Sequence, residues 1–187
     1  MYKRQNLGGT AVTATAAELN LLDGVTALGA SSVNGLSDGL VEDISMYIGN
    51  DPSSSTSTAE YNVAVGMTAL DAITTGDHNT AVGWDALTSN STGDFNTAFG
   101  SASLKSNSTG EQNTASGWNS LWSNTTGDNN TAVGRNALFY NTVADKNTAL
   151  GHYAGDIITT GSNNLMLGYG ADPVSYTHLT LPTNREV

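Results

Sequence analysis

The chain has 187 residues, with 17 Asp and Glu against 6 Lys and Arg, a formal charge of −11 and no Cys. That balance excludes a nucleic-acid binder, which needs clustered basic side chains to neutralise phosphates, and the missing Cys excludes thiolate metal sites, thiol nucleophiles and disulfides. No apolar run approaches the ~18 residues of a bilayer span, so no membrane insertion is expected, and MYKRQNLGG at the start lacks the apolar core of a secretory signal. Along residues 1–44, Thr15 and Glu18 stand at capping-box spacing, Leu19 and Leu22 fall on one helical side, and Gly24 is a stop. A short helix over 15–23 is the expected element. Residues 28–44, LGASSVNGLSDGLVEDI, read as a loop-rich connection with one strand, so that 1–44 forms a linker.

From residue 45 to 173 the chain repeats every 17 residues. Asn stands at Asn62, Asn79, Asn96, Asn113, Asn130, Asn147 and Asn164. Four positions later come Gly66, Gly83, Gly100, Gly117, Gly134, Gly151 and Gly168. A second glycine column holds Gly76, Gly93, Gly110, Gly127 and Gly161, interrupted by Ala144, and a leucine column holds Leu70, Leu87, Leu104, Leu121 and Leu138 before ending at Gly155. A degenerate earlier copy, SMYIG, puts Gly49 in register with Ser45 in place of the Asn.

Two glycines and an Asn/Ser/Thr cluster per unit rule out a helical repeat, since each interior Gly costs a helix about 1 kcal/mol against Ala. Two short extended pieces per unit remain, around NTAVG and ALTSN. A unit this small buries no core alone, and stacked on copies of itself it becomes one coil of a β-solenoid. The fold class is therefore all-β, a solenoid of about eight 17-residue coils, seven of them clear. At about 4.8 Å per coil the Asn column can form a ladder of hydrogen-bonded amides. The first Gly column is expected to hold a backbone conformation that other residues resist. Val65, Val82, Phe99, Val133, Leu150 and Leu167, interrupted by Ser116, are expected to join the Leu column in a thin apolar seam. That seam is meagre against the entropy of ordering a coil, so lateral association of several chains is expected.

Several columns carry side chains with chemistry. Asp77, Asp94, Glu111, Asp128 and Asp145 form an acidic column; neighbours at ~5 Å repel by about 0.8 kcal/mol in water. A divalent cation such as Ca²⁺ or Mg²⁺ could bridge them, while the plainer expectation is that each carboxylate caps its own turn. Trp84 and Trp118 share the column after the first Gly, and Trp122 and Phe139 share the column after Leu; such faces stack on sugar rings or pack against a neighbouring chain. Thr80, Thr97, Thr114, Thr131 and Thr148 raise an ice-binding reading, which ordinarily needs a second Thr two residues on, where this chain places its apolar seam. NST at 90 and 107 and NTT at 124 match glycosylation acceptors, but turn chemistry explains them. His78, His152 and His178 pair with no acid and nucleophile at a repeating spacing, no phosphate loop or G-x-S-x-G occurs, and neither an enzyme nor a cofactor is expected.

The unit NTAVG..AL...TTG resembles the head repeats of trimeric autotransporter adhesins, where a shorter unit winds a left-handed β-roll and three rolls pack side by side. It is also similar to repeats of phage tail fibres. TATAAELNLLDGVTA at 13–27 is similar to a segment common in phage tail-fibre shafts. What these resemblances imply is a homotrimeric virion fibre section, a rigid spacer whose repeat number sets reach, with a host-surface glycan or protein receptor as the other partner. The runner-up they imply is the head of a bacterial trimeric autotransporter adhesin at the cell surface. Residues 174–187 break the period, with Leu181 and Arg185 where Asn and Gly fall due. VSYTHLTLPT resembles one frame of a transposon-end sequencing adapter, so 174–187 is expected to be read-through from a truncated reading frame.

Overall fold

A computed structural model describes residues 6–7, 10–11, 39–42, 45–48 and 58–173. The helix expected over 15–23 and the tail 174–187 lie outside the described residues. Contacts divide the chain between Ser37 and Asp38 into two units. In the first, β1 (Asn6–Leu7) pairs antiparallel with β2 (Thr10–Ala11).

The second unit is a β-solenoid. Its sheet begins with β3 (Gly39–Glu42) and β4 (Ser45–Ile48), and then takes one strand from each 17-residue coil. These are β5 (Val63–Val65), β6 (Thr80–Val82), β7 (Thr97–Phe99), β8 (Thr114–Ser116), β9 (Thr131–Val133), β10 (Thr148–Leu150) and β11 (Leu165–Leu167). β4 to β11 are parallel and in strict register, so that Thr80 lies beside Thr97 and Val82 beside Phe99. The degenerate copy SMYIG is a true coil member, with Met46 opposite Val63 and Ile48 opposite Val65. β3 runs antiparallel along β4, which covers the edge that a parallel stack would otherwise leave open.

Each coil contributes one strand rather than two. The ALTSN piece is a run of turns with Asp85 at φ 56° and Leu87 at φ 51°, repeated in the equivalent residues of the other coils. Left-handed Leu is costly for an L-residue, and the expense is met by coil-to-coil bonding that continues through the turns. Leu87 N–H donates to the Ser103 carbonyl at 3.0 Å, and Ser89 N–H to Lys105 at 3.2 Å. Those donors belong to one coil and the acceptors to the next, so the backbone of the whole circuit, not only the strand, is tied along the axis.

The first Gly column sits where the strand ends and the chain turns. Gly83 has φ +136°, and a Cβ there would lie 2.7 Å from the carbonyl carbon of Gly100 in the next coil. Conformation and close approach both demand glycine.

The apolar interior is not the seam expected from the sequence. The middle residue of each strand points inward, and Ala64, Ala81, Ala98, Ala115, Ala132 and Ala149 are fully buried with Leu70, Leu87, Leu104, Leu121 and Leu138. The Val65 column points outward, leaving Phe99 60% and Leu150 52% exposed. A coil this narrow takes a methyl where Val or Phe would overfill it. At the ends, where no further coil fills the space, larger residues stand in the Ala column: Tyr47 at one end and Met166 at the other. Met166 reaches the space left by Gly155, its methyl being 2.7 Å from where a Cβ there would sit.

Candidate functional site

Two Asn columns, not one, line the interior. Asn62 to Asn147 of the first are buried, and Asn79 shows the pattern, bonding to both neighbouring coils and to its own. Asn79 N–H donates to Asn62 Oδ1 at 2.8 Å, while Asn79 Nδ2 donates to the Gly93 carbonyl at 2.9 Å. The column is thus mainly a ladder of amide to backbone, with direct amide-to-amide bonds at Asn113 to Asn96, Asn130 to Asn113 and Asn164 to Asn147. Ser45 supplies the same acceptor in the first coil, taking the Asn62 N–H on its Oγ at 2.9 Å.

The second column is Asn90, Asn107, Asn124 and Asn141, which the sequence reading treated as turn residues. All four are fully buried. Their amides bond directly: Asn107 Nδ2 to Asn90 Oδ1, Asn124 to Asn107 and Asn141 to Asn124, each at 2.8 Å. Their burial closes NST and NTT to sugar attachment in this fold. Ile73 and Ile158 occupy the column beyond each end of the run. Both Asn columns converge on the second glycine. The Gly110 carbonyl accepts from Asn96 at 2.8 Å and from Asn107 at 2.9 Å, using both lone pairs.

The acidic column caps neighbouring coils rather than its own turns. Asp77 Oδ1 accepts the Glu60 N–H, Asp94 Oδ1 the Asp77 N–H, Asp128 Oδ1 the Glu111 N–H and Asp145 Oδ1 the Asp128 N–H, all at 2.8 Å. These four aspartates each tie one coil to the one before it, and Ser162 continues the pattern by accepting the Asp145 N–H at 2.9 Å.

Among the described residues, the exposed side chains include three groups that bear on function. The outer face of the sheet presents the Thr column beside the Val65 column, with Leu165 and Leu167 61% and 59% exposed at its end. A second surface stacks Tyr61, His78 and Phe95, with ring centroids 4.7 and 4.9 Å apart and planes within 6° of parallel. The third is the column Trp84, Ser101, Trp118, Arg135, in which Trp84 and Trp118 are exposed and Arg135 lies 4.5 Å over the Trp118 ring. Trp122 is separate from these two, stacked at 5.2 Å on Phe139 and half-buried.

Among the described residues two carboxyls have perturbed acidity. Asp85 is buried, which alone would raise its pKa, but the Lys105 ammonium at 2.7 Å and the Thr68 hydroxyl together hold it below the usual carboxylate range. Asp172 stands in the Leu column of the last coil. Burial, then repulsion from Asp156, pushes its pKa up, and its Oδ1 is buried without a hydrogen-bond partner. Among the described residues no helix is long and apolar enough to cross a membrane. Compared with protein-family models, with curated proteins and with solved structures, the chain finds no match.

Proposed function

We propose that the solenoid is a left-handed roll that packs side by side with two further copies, and that the trimer serves as a rigid spacer and host-contacting section of a virion tail fibre. The observation that carries this reading is the outer face of the sheet. Phe99, Leu150, Leu165 and Leu167 each expose about half or more of their surface on the outer face of the sheet, with Ser116 and Val133 between Phe99 and Leu150, and large apolar side chains gathered on one exposed face are normally covered by a partner. The interior of each coil is built from Ala, one Leu and buried Asn, which supports the need for burial outside the single chain. The segment TATAAELNLLDGVTA at 13–27 favours the fibre over the autotransporter head, which would share the same lateral packing. An ice-binding plane is less well supported, because Phe99 and Leu150 rise from a face that ice recognition needs flat. The test is the paired substitution Leu150→Glu with Leu167→Glu. It is expected to dissociate the trimer while the repeat pattern of amide protection within one coil stack survives; an unchanged solution mass would remove the outer face as the contact.

A further inference from the structure

We propose that the column Trp84–Ser101–Trp118–Arg135 is a binding site for an acidic polysaccharide, whose sugar rings stack on the exposed indoles. The proposal goes beyond the spacer role and does not depend on the lateral packing.

The aromatic geometry comes first. Trp84 and Trp118 stand two coils apart, about 9.6 Å at the strand spacing, with Ser101 in the coil between them. Rings of neighbouring coils stack within 6° of parallel in two other columns, whereas further along this one His152 and Tyr169 are tilted by 48°. Ser101 puts no ring between the indoles, and Lys105 of the same coil reaches over Trp84. Arg135, from the coil after Trp118, lies over that indole and 6.0 Å from the Tyr153 ring centroid. The C–H faces of a pyranose suit an indole face, and the Ser101 hydroxyl, which has no protein partner among the described residues, offers a hydrogen bond to a sugar hydroxyl.

Charge selects the class of sugar. Residues 58–173 hold ten Asp and Glu against three Lys and Arg. Two of those three cations sit on the two indoles of this column: Lys105 at 5.3 Å from the Trp84 centroid and Arg135 at 4.5 Å from that of Trp118. Lys105 is held by Asp85, whereas no carboxylate of the described residues lies within ion-pairing distance of Arg135. An acidic rod that gathers its cations on its exposed indoles, and leaves one unpaired, is complementary to a ligand with both a ring face and a carboxylate. A uronic or sialic acid chain has both, and a neutral glycan has only the first.

The experiment is titration of the full chain with tetramers of galacturonic acid, mannuronic acid and α2,8-linked sialic acid, with maltotetraose as the neutral counterpart, read by tryptophan fluorescence and calorimetry. At least one acidic tetramer is expected to bind at millimolar concentrations or below, and more weakly as salt rises. Trp118→Ala should weaken that binding about tenfold or more. Trp84→Ala should weaken it as well. Arg135→Gln should remove the preference for the acidic tetramers over maltotetraose. Absence of binding to all three acidic tetramers would overturn the proposal, as would undiminished binding by the double variant Trp84→Ala with Trp118→Ala. A change of solution mass in Trp118→Ala, with binding of the acidic tetramers retained, would equally overturn it by assigning the indole to the contact between copies.

Discussion

Asn107 Nδ2 donates to Asn90 Oδ1 at 2.8 Å, and both side chains are fully shielded from solvent. The same Asn107 donates to the Gly110 carbonyl and accepts from Asn124. Asn90 lacks a donor on its far side, where Ile73 begins the column. Asn107→Ala therefore strands more partners than Asn90→Ile. The first is expected to cost about 3 kcal/mol and the second about 1 kcal/mol or less, from the penalty of leaving buried polar groups unpaired. Thermal midpoints at one protein concentration measure the difference, and equal losses would show that the column is not cooperative.

The first Gly column allows a comparison within one chain. Gly100→Ala meets both a φ of +137° and a Cβ only 2.6 Å from the Gly117 carbonyl oxygen, whereas Gly168→Ala meets a φ of +115° with nothing within 4 Å. Gly168→Ala should cost only backbone strain, about 1–3 kcal/mol. Gly100→Ala should cost several kcal/mol more or prevent folding, because two backbones must part along the stack. Soluble yield and midpoint report this, and similar values for the two would contradict the close-packed coil.

The 17-residue period was legible because a solenoid repeats its corners, and corners need particular residues: Gly where φ is positive and a neighbouring carbonyl approaches, Asn where a buried acceptor is required. Inside and outside were less so. Ranking the strand residues by size assigned Val82 and Phe99 to the core and left Ala81 unremarked, yet the column running from Ser116 to Phe99 varies too much in volume for a packed interior. The uniform Ala column was the better signal. The second Asn column was hidden for a different reason, since Asn before Ser or Thr and Gly is also what an exposed turn contains. Nothing in local propensity marks Leu87 for φ 51°; only the bonds from the next coil hold it there.

Acid should expose the Asp85 ion pair. Its folded pKa lies below the unfolded value near 3.8, so its contribution is present above that value and is lost as pH falls through the folded pKa. Lys105→Met is expected to cost about 1–2 kcal/mol at neutral pH, between the ranges for exposed and buried pairs. The gap from the parent protein should close in acid. Urea midpoints across that range check it, and a gap independent of pH would assign the loss to packing instead.

Asp172 behaves in the opposite sense. Its folded pKa is raised, so its penalty is absent below the unfolded value and grows as pH rises through the folded one. Asp172→Asn removes the buried charge and its repulsion from Asp156, and should raise the thermal midpoint at neutral pH but not in acid. A variant less stable than its parent at neutral pH would mean that the hydrogen bond from the Ile157 backbone to the carboxylate outweighs burial and repulsion.

Side-by-side packing of three solenoids through the outer sheet face is the central claim, and light scattering of the full chain at several concentrations tests it most directly. A single chain is 19.3 kDa. The account predicts a species of about 58 kDa, three times that mass, that persists on dilution. A folded, stable species at the mass of one chain would contradict it, because the exposed face carrying Phe99, Leu150, Leu165 and Leu167 would then need no partner.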